Sequence, residues 1–223
     1  MCHLSCIEFG RSVLSKELIR GKSVLEVGSL NVNGSLRQII ESFHPSSYIG
    51  FDICEGAGVD VVGDAADLLA YFHDRKFDLL VSTELLEHVR DWQRVVGNMK
   101  NILEAEGKLL LTTRSKGVPF HGYPFDFWRY EIDDIRNVFS DFNIEDLRKD
   151  PIQPGVFLLA TKPKNFRSLD ISNVKAYSVI KGREVDSVSD FDMYWFRLKW
   201  RILYRPMQII KKMFLAEKSG TYF

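Results

Sequence analysis

Short apolar segments with the composition of buried β-strands alternate along this chain with segments whose apolar residues recur at helical spacing. The predicted strands cover residues 23–27, 48–51, 59–62, 77–81 and 107–112, and the predicted helices cover residues 5–20, 35–43, 65–72 and 92–103. The connections between them are short. This alternation predicts a parallel β-sheet that is covered by helices on both faces.

The rhythm changes after the fifth predicted strand. A helix over residues 131–139 is followed by strands at 142–148 and 156–161, and the link between those strands contains two prolines and a glycine. The link is too short for a helix, so we expect a hairpin whose last strand runs antiparallel to its neighbour. The predicted fold is an α/β, Rossmann-like doubly wound sheet of seven strands, mostly parallel with an antiparallel last strand.

The length of 223 residues suits one full α/β domain with an appendage. We expect a ligand-binding domain over residues 1–162, with its N-terminal helix inside residues 1–22, and a C-terminal extension over residues 163–223. Lys plus Arg (30) equals Asp plus Glu (30), so the overall charge indicates no polyanionic partner.

Three cysteines, Cys2, Cys6 and Cys54, are too few for a disulfide framework and indicate a reducing compartment. Cys2, His3 and Cys6 could offer metal ligands, but ordinary packing is the favoured interpretation, and no metal site is predicted. The sequence shows no signal-peptide pattern and no apolar stretch of spanning length. The expected location is therefore the cytoplasm.

The segment VLEVGSLNVNG, residues 24–34, places an acidic residue at the end of the first strand and a glycine in the turn that follows. Glycine lets the backbone approach a ligand closely, and a helix N-terminus offers free N–H groups. A dinucleotide fold normally uses G-x-G-x-x-G here, whereas this chain has one glycine and the next six residues later. Glu26 would repel a pyrophosphate and suits a ligand that carries an ammonium group.

Acidic residues also follow the second and third predicted strands. Asp52 can accept hydrogen bonds from both hydroxyls of a ribose, and Asp64 can accept one from an adenine amino group. Asp64 can also be the N-cap of the helix that follows, and the two roles are compatible. Three acids at successive strand ends would line one edge of the sheet, where such folds bind ligands.

Taken together, the segments VLEVGSLNVNGS, YIGFD, VDVVGDAADL, FDLLVSTELLEHV and GKLLLTT resemble the ordered motifs of class I S-adenosylmethionine-dependent methyltransferases. The resemblance covers about residues 20–162 and is greatest to small-molecule enzymes with an E-x-L-E-H-V segment. It implies S-adenosyl-L-methionine as cofactor and S-adenosyl-L-homocysteine as product. Leu30 and Val32 stand where many members have glycine, so the loop path is expected to depart from the usual one.

By position, the resemblance assigns Glu26 and Gly28 to the methionine end, Asp52 to the ribose, and Asp64 with Ala65 to the adenine. Three residues, Ser82, Thr83 and Glu84, are expected to follow the fourth strand and to line the reactive side. The full set of predicted cofactor contacts is Glu26, Gly28, Ser29, Asn31, Asp52, Ile53, Asp64, Ala65, Ser82, Thr83 and Glu84.

Candidate catalytic residues lie after the fourth and fifth strands. His88 can act as a base, although the position is often structural in this family. In the loop of residues 119–130, His121 or Tyr123 could take a proton from an acceptor hydroxyl. The predicted substrate-binding residues are Asp126, Trp128 and Arg129. The alternative is a rigid loop in which Trp128 fills the core and Asp126 pairs with Arg129.

The acceptor is less readable than the cofactor. Enzymes that methylate DNA amino groups usually carry Asn or Asp, Pro, Pro and an aromatic residue after the fourth strand, where this chain has STEL. No DNA substrate is therefore expected. The predicted function is methyl transfer, at oxygen, to a small-molecule, glycan or lipid-linked acceptor. The alternatives are a nicotinamide-dependent oxidoreductase and a non-catalytic module that keeps the cofactor fold.

Residues 193–214 contain six basic residues and no acidic one, and we expect a helix over 193–216 with one aromatic and aliphatic face and one basic face. Pro206 should kink it. This composition is typical of a helix that lies at a membrane surface, here the inner face, as a peripheral contact. The alternative is a helix whose apolar stripe packs on the domain or on a second subunit in a homodimer.

Overall fold

The structure is a computed structural model that describes residues 3–121 and 125–204. The strands are β1 (Ser23–Val27), β2 (Ser47–Asp52), β3 (Val61–Val62), β4 (Phe77–Thr83), β5 (Leu103–Arg114), β6 (Trp128–Arg129), β7 (Asn143–Lys149), β8 (Gly155–Thr161), β9 (Ala176–Ser178) and β10 (Arg183–Val185). The α-helices are α1 (Leu4–Val13), α2 (Lys16–Ile19), α3 (Arg37–Ser42), α4 (Leu68–Phe72), α5 (Trp92–Ile102), α6 (Ile132–Val138) and α7 (Asp190–Lys199).

Seven of the strands form one sheet in the order β3-β2-β1-β4-β5-β8-β7. Neighbours from β3 to β5 pair in parallel, whereas β8 pairs antiparallel with both β5 and β7. The predicted Rossmann-like sheet of seven strands with an antiparallel last strand is thus confirmed.

The apolar residues of the central strands alternate between two cores, one on each face of the sheet. In β1, Val24 packs in the core beside α1 and α3, while Leu25 packs in the larger core beside α5 and α6. Successive side chains of a strand point to opposite faces, so an uninterrupted apolar run serves both layers. Each fully buried side chain of this kind stabilises the fold by about 1.5–3 kcal/mol.

The N-terminal helix predicted over residues 5–20 is two helices. Leu14 and Ser15 adopt extended backbone conformations between α1 and α2. The Ser15 side chain then accepts a hydrogen bond from the Leu18 N–H and begins the second helix. The helical spacing of apolar residues continues across the break, so the sequence pattern predicted one helix. The N-cap serine was the sequence signal for the break.

Two strands also differ in length from their predictions. β3 has two residues, because Asp60 joins Gly50 through both its backbone N–H and its carboxylate, and pairs with Arg37. These side-chain bonds replace a regular ladder at the sheet edge. β4 runs on to Thr83, where Ser82 and Thr83 pair with β5.

The chain after β8 adds a second, three-stranded antiparallel sheet in the order β10-β9-β6. Residues 163–192 looked weakly periodic in sequence, yet they supply two of its strands. Ile171 and Val185 belong to the larger core. The division at residue 162 stays a prediction.

The predicted C-terminal helix begins at Asp190, three residues earlier than expected. Ser189 and Asp192 form a capping box there. Residues Trp200–Tyr204 continue as a π-helical turn, and the rest of the predicted helix, with Pro206, lies outside the described residues. Within the part of the chain that the structure describes, no helix is long and apolar enough to cross a membrane.

Candidate functional site

A cavity of about 760 Å³ lies at the carboxyl ends of the parallel strands. Six of the predicted cofactor contacts line it: Gly28, Asp52, Ile53, Asp64, Ala65 and Glu84. They come from the residues that end or follow four different strands, β1 to β4. The structure therefore brings together at one sheet edge residues that the sequence placed at separate strand ends.

Position 28 requires a residue without a side chain. Its φ is +84°, in the left-handed region, and a Cβ there would lie 3.0 Å from the Leu85 Cβ. Its N–H donates to the Phe51 carbonyl oxygen at 2.9 Å. The turn after β1 is therefore held against the ends of β2 and β4, and an L-residue at position 28 would strain both contacts.

The loop after Gly28 folds back on the chain between β2 and β3. Asp52 fixes it by accepting hydrogen bonds from the backbone N–H groups of Leu30 and Cys54, both at 3.0 Å. A carboxylate has about four acceptor positions, so two ribose hydroxyls can still bind Asp52. The side chains of Leu30 and Val32, which replace the usual glycines, line the cavity.

Asp64 has the capping role that was predicted beside its adenine role. Its carboxylate accepts a hydrogen bond from the Ala66 N–H at 2.8 Å and begins a 3₁₀ turn at Ala65–Asp67. Ala65 and Asp64 both line the cavity. Adenine recognition by Asp64 stays a prediction.

Glu26 lies beneath the cavity floor instead of lining it. Its side chain is 2% exposed and accepts a hydrogen bond from the Tyr48 hydroxyl. Burial raises the pKa of Glu26 to about 7, against the opposing effects of the Tyr48 hydrogen bond and the Arg37 charge. Its contact with a cofactor ammonium stays a prediction.

Four further predicted contacts also fall outside the described lining of the cavity: Ser29, Asn31, Ser82 and Thr83. The expectation that Ser82 and Thr83 follow the fourth strand is wrong, because both lie inside β4 with buried side chains. The buried Ser82 hydroxyl has no hydrogen-bond partner among the described residues. The strand boundary was misplaced because it depends on pairing with β5, which the local sequence does not reveal.

Glu84 is the first residue past β4 and has a φ of +55°. Its carboxylate pairs with the buried Arg114 and accepts a hydrogen bond from Thr112 Oγ1 at 3.1 Å. Burial raises the pKa of Glu84 well above its usual value, and the nearby Glu87 charge raises it further. Arg114, which pairs also with Asp150, was missed at the sequence level, since it is the last residue of β5 and the predicted strand ended two residues earlier.

His88 lines the cavity, and His121 contacts His88 from the loop before β6. Their Nε2 atoms are 3.2 Å apart, and their rings are nearly perpendicular at 88°. The structure thus joins two of the three predicted catalytic residues. The third, Tyr123, lies outside the described residues.

The surroundings of the histidine pair fix where its hydrogens lie. Nδ1 of His88 faces the Phe125 carbonyl oxygen, and Nδ1 of His121 lies 3.2 Å from Asp126 Oδ2. Carbonyl and ionised carboxylate oxygens only accept hydrogen bonds, so each Nδ1 carries a hydrogen. The two Nε2 atoms then face each other, and at least one presents a lone pair.

Asp126, Trp128 and Arg129 were predicted to bind substrate, with a rigid loop as the alternative. Asp126 and Arg129 form a buried ion pair, and Trp128 is fully buried with its Nε1 donating to the Val89 carbonyl oxygen at 2.9 Å. The structure therefore has the arrangement of the rigid loop, with Trp128 in the core and Asp126 paired with Arg129. In this arrangement the three side chains position the loop, and direct substrate contact by them stays a prediction without geometric support.

The side of the cavity opposite the ends of β1 to β4 is built by residues that sequence reasoning did not assign to the site. Phe125 and Phe127 come from the loop, while Met193, Tyr194 and Arg197 come from α7. The Arg197 guanidinium lies 5.5 Å from the centre of the Phe125 ring. The amphipathic pattern of α7 was visible in sequence, but its position against the cavity was not.

Comparison with protein families defines the class of this protein. The sequence profile of the family described as "Methyltransferase domain" matches residues 7–150, well over half of the chain. The protein belongs to this family. The match contradicts the alternative of a nicotinamide-dependent oxidoreductase. No curated protein sequence matches the chain.

Solved structures of methyltransferases share the fold. A Haloferax volcanii methyltransferase in complex with the Trm112 activator has 14% identity and a TM-score of 0.57, over 74% of this chain and 91% of that chain. Magnesium protoporphyrin IX methyltransferase (ChlM) from Synechocystis PCC 6803, with bound SAM, has 16% identity and a TM-score of 0.54, over 71% and 80% of the two chains.

A third structure is the 1,6-didemethyltoxoflavin-N1-methyltransferase of Burkholderia thailandensis, with bound 1,6-didemethyltoxoflavin and S-adenosylhomocysteine. It has 13% identity and a TM-score of 0.55, over 71% of this chain and 78% of that chain. At these identities the similarity shows the fold alone.

Proposed function

We propose that this protein transfers the methyl group of S-adenosyl-L-methionine to an oxygen atom of a small-molecule, glycan or lipid-linked acceptor. The observation that carries the proposal is the cavity at the strand ends, which is lined by Asp52, Asp64, Gly28 and His88 together. Membership of the methyltransferase domain family supports the reaction class.

The described wall supports an extended position for the cofactor. The ribose hydroxyls would bind Asp52, the adenine would lie beside Asp64 and Ala65, and the methionine part would extend past Gly28 toward Glu84. The apolar side chains of Phe51, Leu30 and Leu85 also line the cavity and would cover the adenine and ribose from water.

The histidine pair is placed to activate the acceptor oxygen. Methyl transfer forms an O–CH₃ bond as the S–CH₃ bond breaks, and the electron pair of the broken bond stays on sulfur as a neutral thioether. The hydroxyl proton must leave the oxygen during this step. His88, at the cavity wall, is the described group best placed to bring that about, with His121 held behind it.

The surface of α7 supports the lipid-linked acceptor among the three classes. Tyr194 and Arg197 line the cavity, and Phe191, Trp195 and Ile202 are exposed large hydrophobic residues on or next to the same helix. A basic and aromatic surface beside the cavity mouth suits an acceptor with an anionic head and an apolar tail. Peripheral membrane contact and a homodimer through residues 193–216 both remain proposals.

Calorimetric titration of the full-length chain tests the cofactor part of the proposal. We expect micromolar binding of S-adenosyl-L-homocysteine and no binding of NAD. Asp52→Ala should lose most of that affinity, because the ribose hydroxyls lose their acceptor. Asp74→Ala, at an exposed acidic residue after α4, is the matched control and should bind normally. Absence of binding in the wild-type chain would overturn the proposed function.

A product-based screen tests the acceptor part. Purified protein is incubated with cofactor that carries an isotopic methyl label and with pools of polyols, phenols, glycans and lipid-linked sugars. Labelled product in an oxygen-acceptor pool, lost in His88→Gln and His121→Gln, is the expected result. Label that appears only in an amine product would overturn the oxygen assignment.

A further inference from the structure

We infer that His88 and His121 form a binding site for a first-row divalent metal ion at the wall of the cofactor cavity, with Asp126 as the group that orients one ligand. The role of the ion in methyl transfer rests on the proposed function, whereas the metal site itself rests on the positions of the side chains. The three side chains each offer a ligand atom, and those atoms all lie within 4.8 Å of one another.

The first argument is the direction of the lone pairs. Both Nδ1 atoms face acceptors, so both hydrogens of the neutral rings are taken up on the outer side. With both rings neutral, each Nε2 presents its lone pair to the other on the inner side, where the two atoms are 3.2 Å apart. Two facing lone pairs repel each other unless a cation or a shared proton lies between or beside them.

The second argument is the distance. Two metal–nitrogen bonds of about 2.0–2.1 Å would span a 3.2 Å separation at an N–metal–N angle of about 100°. That angle lies between the ideals of octahedral and tetrahedral coordination. The pair therefore has the spacing of two ligands on one ion without any change in the backbone.

The third argument is the support behind the ligands. A metal-binding histidine usually donates its other ring N–H to a carboxylate or a carbonyl, which fixes its tautomer and ring orientation. His88 has the Phe125 carbonyl oxygen in that position, and His121 Nδ1 has the Pro119 carbonyl oxygen at 3.3 Å, with Asp126 Oδ2 3.2 Å away. Both rings therefore have an acceptor on their Nδ1 side, supplied by the loop before β6.

Asp126 is a positioning residue and not a direct ligand. Both of its oxygens already interact with Arg129, and Oδ2 also accepts a hydrogen bond from the backbone N–H of His121 at 3.0 Å. Arg129 neutralises the carboxylate charge. The site thus offers two neutral imidazoles, a ligand type that suits Zn²⁺, Co²⁺ and similar ions more than Mg²⁺.

The remaining coordination positions would be open, because two histidines supply only two ligands. His88 lines the cavity, so an ion on its Nε2 lies beside the space for the acceptor. An acceptor hydroxyl bound to the ion would lose its proton to solvent more easily, as metal-bound water does. Its oxygen would then form the bond to the methyl carbon while sulfur keeps the electron pair of the broken S–C bond.

The test is direct metal titration of the full-length protein after chelator treatment. ZnCl₂ is followed by calorimetry and CoCl₂ by visible absorption, with no acceptor present. We expect one ion per chain. His88→Gln and His121→Gln should each weaken binding at least about tenfold, and Asp126→Asn by about 10- to 100-fold. His73→Gln, at an exposed histidine remote from the cavity wall, should have no effect.

A second measurement does not depend on how the variants fold. The chain has five histidines, and ¹⁵N imidazole spectra of the wild-type protein report each Nε2 separately. Addition of ZnCl₂ should shift the Nε2 resonances of two histidines and leave their Nδ1 atoms protonated. Shifts in other histidines only, or equal Zn²⁺ affinity in the His88→Gln/His121→Gln double variant, would overturn the inference.

Parallel titration with S-adenosyl-L-homocysteine separates the two proposals. Cofactor binding without Zn²⁺ binding removes the metal site and leaves direct proton transfer by the histidine pair. Zn²⁺ binding without cofactor binding keeps the metal site and overturns the proposed function.

Discussion

The two halves of the cavity are built in different ways. The half proposed for the cofactor comes from residues at the ends of β1 to β4, each directly attached to a strand of the main sheet. The half proposed for the acceptor comes from the loop before β6 and from α7, which meet where the Arg197 guanidinium lies 5.5 Å from the centre of the Phe125 ring. The first half is a property of the sheet, and the second depends on how distant segments pack together.

The largest expected effect lies in the acceptor half. Arg129→Met leaves Asp126 as a buried charge without its partner, and we expect a loss of about 3–5 kcal/mol in the free energy of unfolding. Arg136→Met removes an exposed pair with Asp133 at the same i,i+3 spacing and should change stability by about 0.5 kcal/mol or less. Urea unfolding measures both. Equal losses would show that burial does not distinguish the two pairs.

The next effect probes the buried acid beneath the cofactor half. The pKa of Glu26 rises from 4.5 to about 7 in the folded chain, so between these values the unfolded chain loses a proton that the folded chain keeps. Its stabilising contribution is complete below about pH 4.5 and lost above about pH 7. The stability of wild type relative to Glu26→Gln should fall by about 3 kcal/mol over this range.

Urea unfolding at a series of pH values measures this difference. Glu55→Gln removes an exposed carboxylate and controls for the change in net charge. A difference between wild type and Glu26→Gln that stays constant with pH would mean that Glu26 is ionised throughout.

A smaller effect is expected at the turn after β1. Gly28→Ala places a side chain at φ +84° and against Leu85, at a cost of about 1–2 kcal/mol, and should weaken cofactor binding. Gly97→Ala, inside α5 with nothing within 4 Å of the added Cβ, should stabilise the protein by about 0.5–1 kcal/mol. Thermal unfolding should show opposite signs, and a gain from Gly28→Ala would contradict the assigned turn geometry.

The smallest effect is expected at the start of α7. Ser189 caps the helix and, through its hydrogen bonds, lowers the pKa of Asp192 to about 2. Ser189→Ala should cost about 1 kcal/mol, confined to this helix. Faster hydrogen exchange over residues 190–199, with unchanged cofactor affinity, is the expected result. Ser187→Ala, just before the cap, is the control, and equal exchange in both variants would argue against the cap.

The comparison also explains how far the sequence could predict the site. Asp52 and Asp64 were placed correctly at the cavity because an apolar run ends immediately before or near each of them, and strand ends of a parallel sheet meet at one edge. Glu26 was assigned to the same edge, but strand alternation directs its side chain toward Tyr48 on the neighbouring strand.

The acceptor half was only partly predictable. His88 and His121 were each selected for their chemistry, but their contact spans 33 residues of sequence, and no local pattern fixes the loop path. Trp128 and Arg129 were read as ligand contacts because aromatic and charged residues often are. Their burial depends on β6 pairing with β9, a strand that the polar sequence around residue 177 did not indicate.

The three-stranded sheet makes one side of the cavity depend on the C-terminal extension. The strand β6 pairs with β9 in the C-terminal extension, and the Phe127 carbonyl oxygen accepts a hydrogen bond from Val179. Rearrangement of the extension by mutation or recombination would move the loop that carries His121, while β1 to β4 would keep their register. Under the proposed function, such a change would alter the side of the cavity proposed for the acceptor and leave the side proposed for the cofactor unchanged.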